Sequence, residues 1–206
     1  MLQEQRVLWE NGTLIGEGSW ISAGGESAVV ICHPHPQMGG SMHNNVVETI
    51  RDVFAAQRYS TLRFNFRGVG GSTGQYDEGR GEIQDICSAC DYARMQGVRK
   101  IILAGYSFGA WVICRLLKNR PSDFQATILV SPPDKFSPFE WNGLEGKISF
   151  IVNGKLDPFC DNERIDKISA RIGAIHLALD DVDHFYAGDE SRLAAGLSHY
   201  LKEKQT

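Results

Sequence analysis

Residues 101–110 read Ile-Ile-Leu-Ala-Gly-Tyr-Ser-Phe-Gly-Ala, and an amphipathic segment from Trp111 to Lys118 follows them. This order predicts a buried strand, a G-x-S-x-G turn and a helix, which is the context of a nucleophile elbow. Gly105 and Gly109 are expected because side chains there would collide where the strand and the helix pass close together. Ser107 is therefore the candidate nucleophile, and the alternative is a glycine-rich turn with an incidental serine.

The same turn predicts where an oxyanion would be held. The Phe108 N–H lies at the positive end of the helix macrodipole and points towards the group that the serine attacks. A second donor is expected from the loop after the strand Ala28–Cys32, which reads His-Pro-His-Pro-Gln-Met over residues 33–38. Prolines carry no N–H, so the backbone N–H of His35 is the first candidate, with Gln37 or Met38 behind it.

A serine of this kind needs a base, and the base needs a third group that fixes its tautomer. Asp157 follows an expected strand at Ile148–Val152, and His184 follows another at Ile175–Leu179. Both residues are thus predicted at the carboxyl ends of strands, where the ligand sites of open α/β sheets lie. Taken singly, Asp157 fits a turn-forming Asp-Pro and His184 a polar loop residue; together with Ser107 they predict a catalytic triad.

Apolar strands alternate with helical periodicity along the chain, which predicts an α/β fold with a mostly parallel sheet and helices on both faces. Two N-terminal segments, Val7–Trp9 and Leu14–Trp20, are separated by Asn-Gly and predict an antiparallel hairpin at one edge of the sheet. The connection over residues 131–146 is too short for a helical cap domain, so we expect an open site. We expect residues 1–206 to form a single domain.

The composition excludes several classes of protein. The chain has 206 residues with a net charge of −4, which leaves no basic footprint for nucleic acid and no polybasic patch for a membrane. No apolar run reaches membrane-spanning length, and the N-terminus lacks the basic and apolar regions of a signal peptide. Five cysteines, an odd number, fit reduced thiols better than a disulfide framework, so a cytoplasmic protein is expected.

Two other motifs suggest alternative sites. His33, His35 and His43 suggest a metal site, but no cluster of acidic ligands accompanies them, and no metal is assigned. The glycine-rich loop 66–74 resembles a phosphate cradle but lacks both the Gly-Lys-Ser/Thr ending and the last glycine of G-x-G-x-x-G. It is expected to shape the rim of the site, where Arg67 either binds an anionic substrate group or forms a structural ion pair.

Over nearly its whole length the chain resembles the α/β-hydrolase superfamily. The runs His33-Pro-His-Pro-x-x-Gly-Gly-Ser-Met-His-Asn44, Asn65-Phe-Arg-Gly-Val-Gly-Gly-Ser72 and Gly105-Tyr-Ser-Phe-Gly109 are similar to small bacterial serine hydrolases without a cap domain, which are related to dienelactone hydrolases. The resemblance implies a triad of Ser107, Asp157 and His184 and the hydrolysis of esters or thioesters. True dienelactone hydrolases use a cysteine nucleophile, so their substrate is not carried over to this chain.

These predictions give a mechanism on a small-molecule acyl substrate that needs no cofactor. His184 accepts the Ser107 proton, the alkoxide attacks the carbonyl, and water later releases the acyl group. Two alternative hypotheses remain. One is a non-hydrolytic enzyme that uses the same triad, such as an acyltransferase or a cofactor-free haloperoxidase, and the other is a scaffold that retains the fold without activity.

Overall fold

A computed structural model describes residues 3–119, 124–137 and 139–204. The strands are β1 Glu4–Asn11, β2 Leu14–Ile21, β3 Ser27–Cys32, β4 Ser60–Asn65, β5 Lys100–Tyr106, β6 Ala126–Val130, β7 Phe150–Gly154 and β8 Ile175–Leu179. The helices are α1 Asn45–Ala56, α2 Gly81–Met95, α3 Phe108–Asn119, α4 Asn162–Ile172 and α5 Glu190–Glu203.

The eight strands form one sheet in the order β1-β2-β4-β3-β5-β6-β7-β8. β1 pairs antiparallel with β2, and β2 with β4, whereas every pair from β4 to β8 is parallel. The predicted mostly parallel sheet with an antiparallel N-terminal hairpin is therefore confirmed. The parallel strands end at one edge, so the loops after β3, β5, β7 and β8 converge there.

Alternate residues of each central strand pack on opposite faces of the sheet. In β5, Leu103 belongs to the core that includes α2, α3 and α4, whereas Ile102 and Ala104 belong to the core that includes α1 and α5. Both faces are thus covered, which is why the parallel strands are apolar at nearly every position. Because β5 lies between β3 and β6, the turn at its carboxyl end emerges in the middle of the sheet.

One strand is displaced from its expected position. The sequence predicted a strand at 148–152, but β7 spans Phe150–Gly154, and its ladder with β6 begins at the pair Ile128 and Phe150. Ile148 is 2% exposed, so it is buried as a strand residue would be but lies before the ladder. The shift places only Lys155 and Leu156 between the strand and Asp157.

The described part of the long connection between β6 and β7 forms turns and irregular loop. Within residues 131–137 and 139–149 there is no helix, as expected for a fold without a cap domain. No helix in the described ranges has the length and apolar character that a transmembrane span requires.

Candidate active site

Ser107 occupies the turn between β5 and α3 with φ of +53°. This left-handed conformation is strained for a residue with a Cβ. A Cβ on Gly105 would lie 2.6 Å from the carbonyl carbon of Gly109, and a Cβ on Gly109 would lie 2.5 Å from the Cys32 carbonyl oxygen. Only glycine fits at these two positions, as the sequence predicted.

Ser107, His184 and Asp157 form one hydrogen-bonded chain. Ser107 Oγ lies 3.0 Å from His184 Nε2, and His184 Nδ1 lies 2.7 Å from Asp157 Oδ2. Because Nδ1 faces a carboxylate, it carries the proton, and the lone pair of Nε2 faces the serine hydroxyl. The structure thus brings together the three residues that the sequence singled out from loops after three different strands.

Asp157 is held by several groups besides His184. Its Oδ1 accepts the Phe159 N–H at 2.9 Å, and the Cys160 thiol lies 3.2 Å from its Oδ2. Burial acts to raise the pKa of Asp157, but hydrogen bonds and charge interaction with His184, together with bonds from Ser131 and the Phe159 N–H, lower it below its ordinary value. Asp157 is therefore an ionised carboxylate beside the imidazole at neutral pH.

Two other carboxylates near His184 in the sequence are bonded to other groups. Asp180 pairs with Lys155 at 2.6 Å, and Asp183 accepts the backbone N–H groups of Phe185 and Tyr186 at 2.8 and 3.1 Å. Asp180, Asp181 and Asp183 are all exposed, whereas Asp157 is 3% exposed.

Two buried tyrosines tether the loops of the site, and sequence reasoning missed both. The Tyr106 hydroxyl donates to the backbone oxygen of His184 at 2.8 Å, which joins the residue before the nucleophile to the histidine loop. The Tyr186 hydroxyl lies 2.8 Å from Ser131 Oγ, next to Asp157. The only available signal was that each tyrosine is a sequence neighbour of the triad, which indicates position but not a bond.

The hydrogen bonds of the loop after β3 distinguish the three backbone donors that the sequence left open. The Gln37 N–H donates to His35 Nδ1 at 3.2 Å, and the Met38 N–H donates to the His35 carbonyl at 3.0 Å. Within the described residues, the His35 N–H and the Phe108 N–H donate to no protein group. Of the three donors that the sequence left open, His35 is thus the one whose amide is available, and its ring lies 4.9 Å from that of Phe108.

His33 fixes this loop from behind. It is fully buried, its Nε2 accepts the Phe66 N–H at 2.9 Å, and its Nδ1–H donates to the Pro34 carbonyl at 2.6 Å. Burial lowers the pKa of His33 to about 4. A neutral imidazole is required because the bond from Phe66 needs a lone pair on Nε2.

This arrangement predicts a specific loss of stability in acid. In the unfolded chain a histidine titrates near pH 6.5, so below that pH the unfolded state binds a proton that folded His33 does not. The contribution of neutral His33 to the free energy of unfolding is thus fully present above about pH 6.5. It decreases by about 3 kcal/mol as the pH drops to 4. We expect His33→Gln, which cannot titrate, to lack this part of the pH dependence.

Denaturant unfolding of both proteins from pH 7.5 to pH 4 measures the difference. All other titrating groups are shared, so the two curves of unfolding free energy should converge as the pH falls. Parallel curves over this range would contradict the assignment.

The glycine-rich loop 66–74 does not contribute to the candidate active site. None of its residues lines the cleft at Ser107, which corrects the expectation from the sequence. Arg67 makes a bidentate ion pair with Asp85 of α2, and the shortest contact joins Arg67 Nη2 to Asp85 Oδ1 at 2.8 Å. Of the two roles left open for Arg67, the structure shows the ion pair.

The three histidines suggested as a metal site do not come together. Among the described residues, the group with closely spaced ligating atoms is Asp157, Cys160 and His184, within 4.8 Å of one another. His184 uses both ring nitrogens in hydrogen bonds to Ser107 and Asp157. This geometry suits a hydrogen-bonded acid and base.

A small cleft opens above Ser107. Its volume is about 220 Å³, below the range typical of sites for drug-sized ligands. The lining is mainly apolar and aromatic, from Tyr106, Phe108, Pro133, Phe136, Phe159 and Phe185. The described lining residues include no Asp, Glu, Lys or Arg.

A larger groove of about 730 Å³ lies beside α4, on a different part of the surface. It is lined by mixed charges such as Lys118, Glu163 and Arg171, and its described lining contains neither serine nor histidine. The smaller cleft at Ser107 is therefore the candidate active site despite its size.

Comparison with known proteins agrees with this architecture. The model of a family described as serine aminopeptidase, S33, matches residues 25–144. An uncharacterized protein of Rickettsia prowazekii is 29% identical over 199 residues, which cover 90% of this chain and 83% of the relative.

Two solved structures are close in shape. An α/β serine hydrolase homologue from Coxiella burnetii has a TM-score of 0.87 at 28% identity and covers 98% of each chain. An α/β serine hydrolase without a lid from Xanthomonas campestris has the same TM-score at 24% identity, over 98% of this chain and 94% of the other. The similarity to the Xanthomonas campestris structure, at 24% identity, shows that the two proteins share the fold.

Proposed function

The chain belongs to the serine aminopeptidase S33 family, within the α/β-hydrolase superfamily, and from that premise we propose that it is a hydrolase that cleaves small esters or thioesters through an acyl-enzyme on Ser107. The observation that carries the proposal is the chain of hydrogen bonds from Ser107 through His184 to Asp157, at 3.0 and 2.7 Å. Free amides at Phe108 and His35 beside the same serine support it.

The proposed chemistry follows from these contacts. His184 Nε2 takes the Ser107 proton while Oγ bonds to the acyl carbon, and the carbonyl electrons move onto oxygen. The Phe108 and His35 N–H groups stabilise this oxyanion. When the carbonyl re-forms, the leaving alkoxide or thiolate takes the proton from His184. Water, deprotonated by the same nitrogen, then attacks the acyl-enzyme carbonyl. When this second intermediate collapses, the bond to Ser107 Oγ breaks, Oγ takes the proton back from His184, and the acyl group leaves as the free acid.

The name of the family suggests a peptide with a free amino terminus, but the cleft favours a neutral acyl compound. An α-ammonium group needs a carboxylate, and the described lining residues offer none. Water has an open route to the acyl-enzyme, since the described part of the connection between β6 and β7 forms no lid helix. This route favours hydrolysis over acyl transfer.

Labelling by a fluorophosphonate probe, with mass spectrometry to locate the adduct, tests the proposal most directly. We expect the adduct on Ser107 and turnover of p-nitrophenyl acetate. A panel of p-nitrophenyl esters and acyl-CoA thioesters then separates the two acyl classes. If the folded protein shows neither labelling nor turnover, the proposal is wrong, and the alternative of a scaffold without catalytic activity is favoured.

We expect short acyl groups to be preferred over long ones. A cleft of about 220 Å³ has no apolar tunnel for a long chain, and each CH₂ adds roughly 0.8 kcal/mol only where a wall covers it. The measurement is kcat/KM for p-nitrophenyl esters from acetyl to dodecanoyl. A steady rise along the series would contradict this prediction.

A further inference from the structure

Three phenylalanines surround the opening of the cleft, and we call Phe136, Phe159 and Phe185 the aromatic rim. The ring of Phe159 lies 4.7 Å from the imidazole of His184 and contacts both other rings nearly at right angles, with centroids 5.8 Å from Phe136 and 6.4 Å from Phe185. The rim thus starts at the proposed base and extends outwards.

Two members of the rim are the exposed phenylalanines of this chain. Of ten phenylalanines, all described, only Phe136 and Phe185 count as exposed, at 59% and 58%. Both line the same cleft. Aromatic side chains are costly to leave in water, so their concentration at a reactive serine indicates a surface that a ligand covers.

The rim is held in place by backbone hydrogen bonds. The Phe159 carbonyl accepts from the N–H of Lys135, the neighbour of Phe136, at 3.0 Å. The Phe185 N–H donates to Asp183, and its carbonyl accepts from Asn45 Nδ2 at 3.0 Å. The backbone that carries the three rings is therefore ordered before a ligand arrives, which lowers the entropic cost of binding.

The chemistry of the cleft restricts the ligand. No described lining residue is an acid, a lysine or an arginine, which favours an uncharged group. Aromatic rings gain edge-to-face or offset contacts from another flat ring that a saturated ring of equal size does not gain. A volume of about 220 Å³ suits one such ring near the scissile bond.

We propose that the aromatic rim selects esters that carry a planar aromatic ring close to the scissile carbonyl, on either the acyl or the alcohol side. This inference rests on the proposed function, because it assigns a substrate class to the same site.

Two matched pairs of esters test it on the wild-type protein. On the acyl side, methyl phenylacetate is compared with methyl cyclohexylacetate; on the alcohol side, benzyl acetate is compared with cyclohexylmethyl acetate. In each pair a CH₂ insulates the ester from the ring, so intrinsic reactivity is similar. We expect kcat/KM to favour the aromatic partner at least fivefold in one pair, which identifies the side. A ratio below fivefold in both pairs overturns the proposal.

Variants locate the preference. Phe136→Leu and Phe185→Leu keep an apolar side chain at two exposed positions but remove the ring. We expect at least one of them to lower the aromatic-to-saturated ratio threefold or more. Met95→Leu is the control, because Met95 is 72% exposed on α2 and does not line the cleft, and its ratio should equal that of wild type. A ratio unchanged in both phenylalanine variants overturns the assignment to the rim.

A binding measurement keeps the inference separate from the proposed function. If the protein hydrolyses no ester and no probe labels Ser107, the proposed function fails. Titration of Ser107→Ala with 2-phenylacetamide and 2-cyclohexylacetamide then still compares the two rings without turnover. If the aromatic amide binds at least fivefold more tightly, the preference of the aromatic rim for a planar ring is supported. Equal binding of the two amides overturns that preference.

Discussion

Replacing Ser107 by alanine is expected to lower kcat for a short activated ester by on the order of 10⁴-fold or more. The substitution removes the atom that lies 3.0 Å from His184 Nε2, and no other described nucleophile contacts that nitrogen. The fold should persist, because alanine keeps the Cβ and places no new atom against Gly105 or Gly109. The measurement is kcat on p-nitrophenyl acetate, with circular dichroism and thermal unfolding to verify the fold.

The cleft offers a matched control in Ser137, a second serine in the same lining. Ser137→Ala should retain activity within tenfold and retain fluorophosphonate labelling, whereas Ser107→Ala should lose both. Activity near that of wild type in a clean Ser107→Ala preparation would remove the basis of the hydrolase mechanism proposed here.

Asp157→Asn is expected to lower kcat at least a hundredfold. An asparagine amide presents N–H or carbonyl oxygen to His184 Nδ1, and the N–H orientation forces the proton onto Nε2. In that tautomer Nε2 cannot accept the Ser107 proton, and comparable changes in known triads cost about 10⁴-fold. The loss should therefore appear mainly in kcat and only slightly in KM.

Three neighbouring carboxylates provide controls of the same chemistry. Asp180→Asn, Asp181→Asn and Asp183→Asn should each cost under tenfold, since these side chains are exposed and the contacts shown for Asp180 and Asp183 are to other groups. All four variants are assayed on one ester. A larger loss at Asp183 than at Asp157 would overturn the assignment of the orienting carboxylate.

Much of the architecture could be predicted from periodicity and glycine placement. The expected strands at Ala126–Val130 and Ile175–Leu179 have the observed bounds, because apolar runs end there at clear breaks. The strand at Phe150–Gly154 was displaced because burial, which hydrophobicity predicts, and ladder bonding do not begin at the same residue. The sequence contains no direct record of which backbone groups pair.

The placement of Ser107 and His184 was predictable because each stands in a recognisable context, a G-x-S-x-G turn after an apolar strand and a loop after the last expected strand. The aromatic rim was not, since Phe136 and Phe159 lie in irregular loops without periodicity and meet only through the fold. Arg67 was equally undecidable, because its partner Asp85 lies on a different element, 18 residues away.

The left-handed backbone at Ser107 has a consequence for how far this protein can be stabilised. Ser131 and Tyr186, which share a hydrogen bond beside Asp157, also have positive φ, at 45° and 55°. Residues in such conformations cost of order 1–3 kcal/mol each, and glycine would relieve much of that cost. Selection for stability alone would thus favour glycine at these three positions and remove their hydroxyl groups. Consensus or directed-evolution schemes should therefore hold these positions constant and seek gains in the helices.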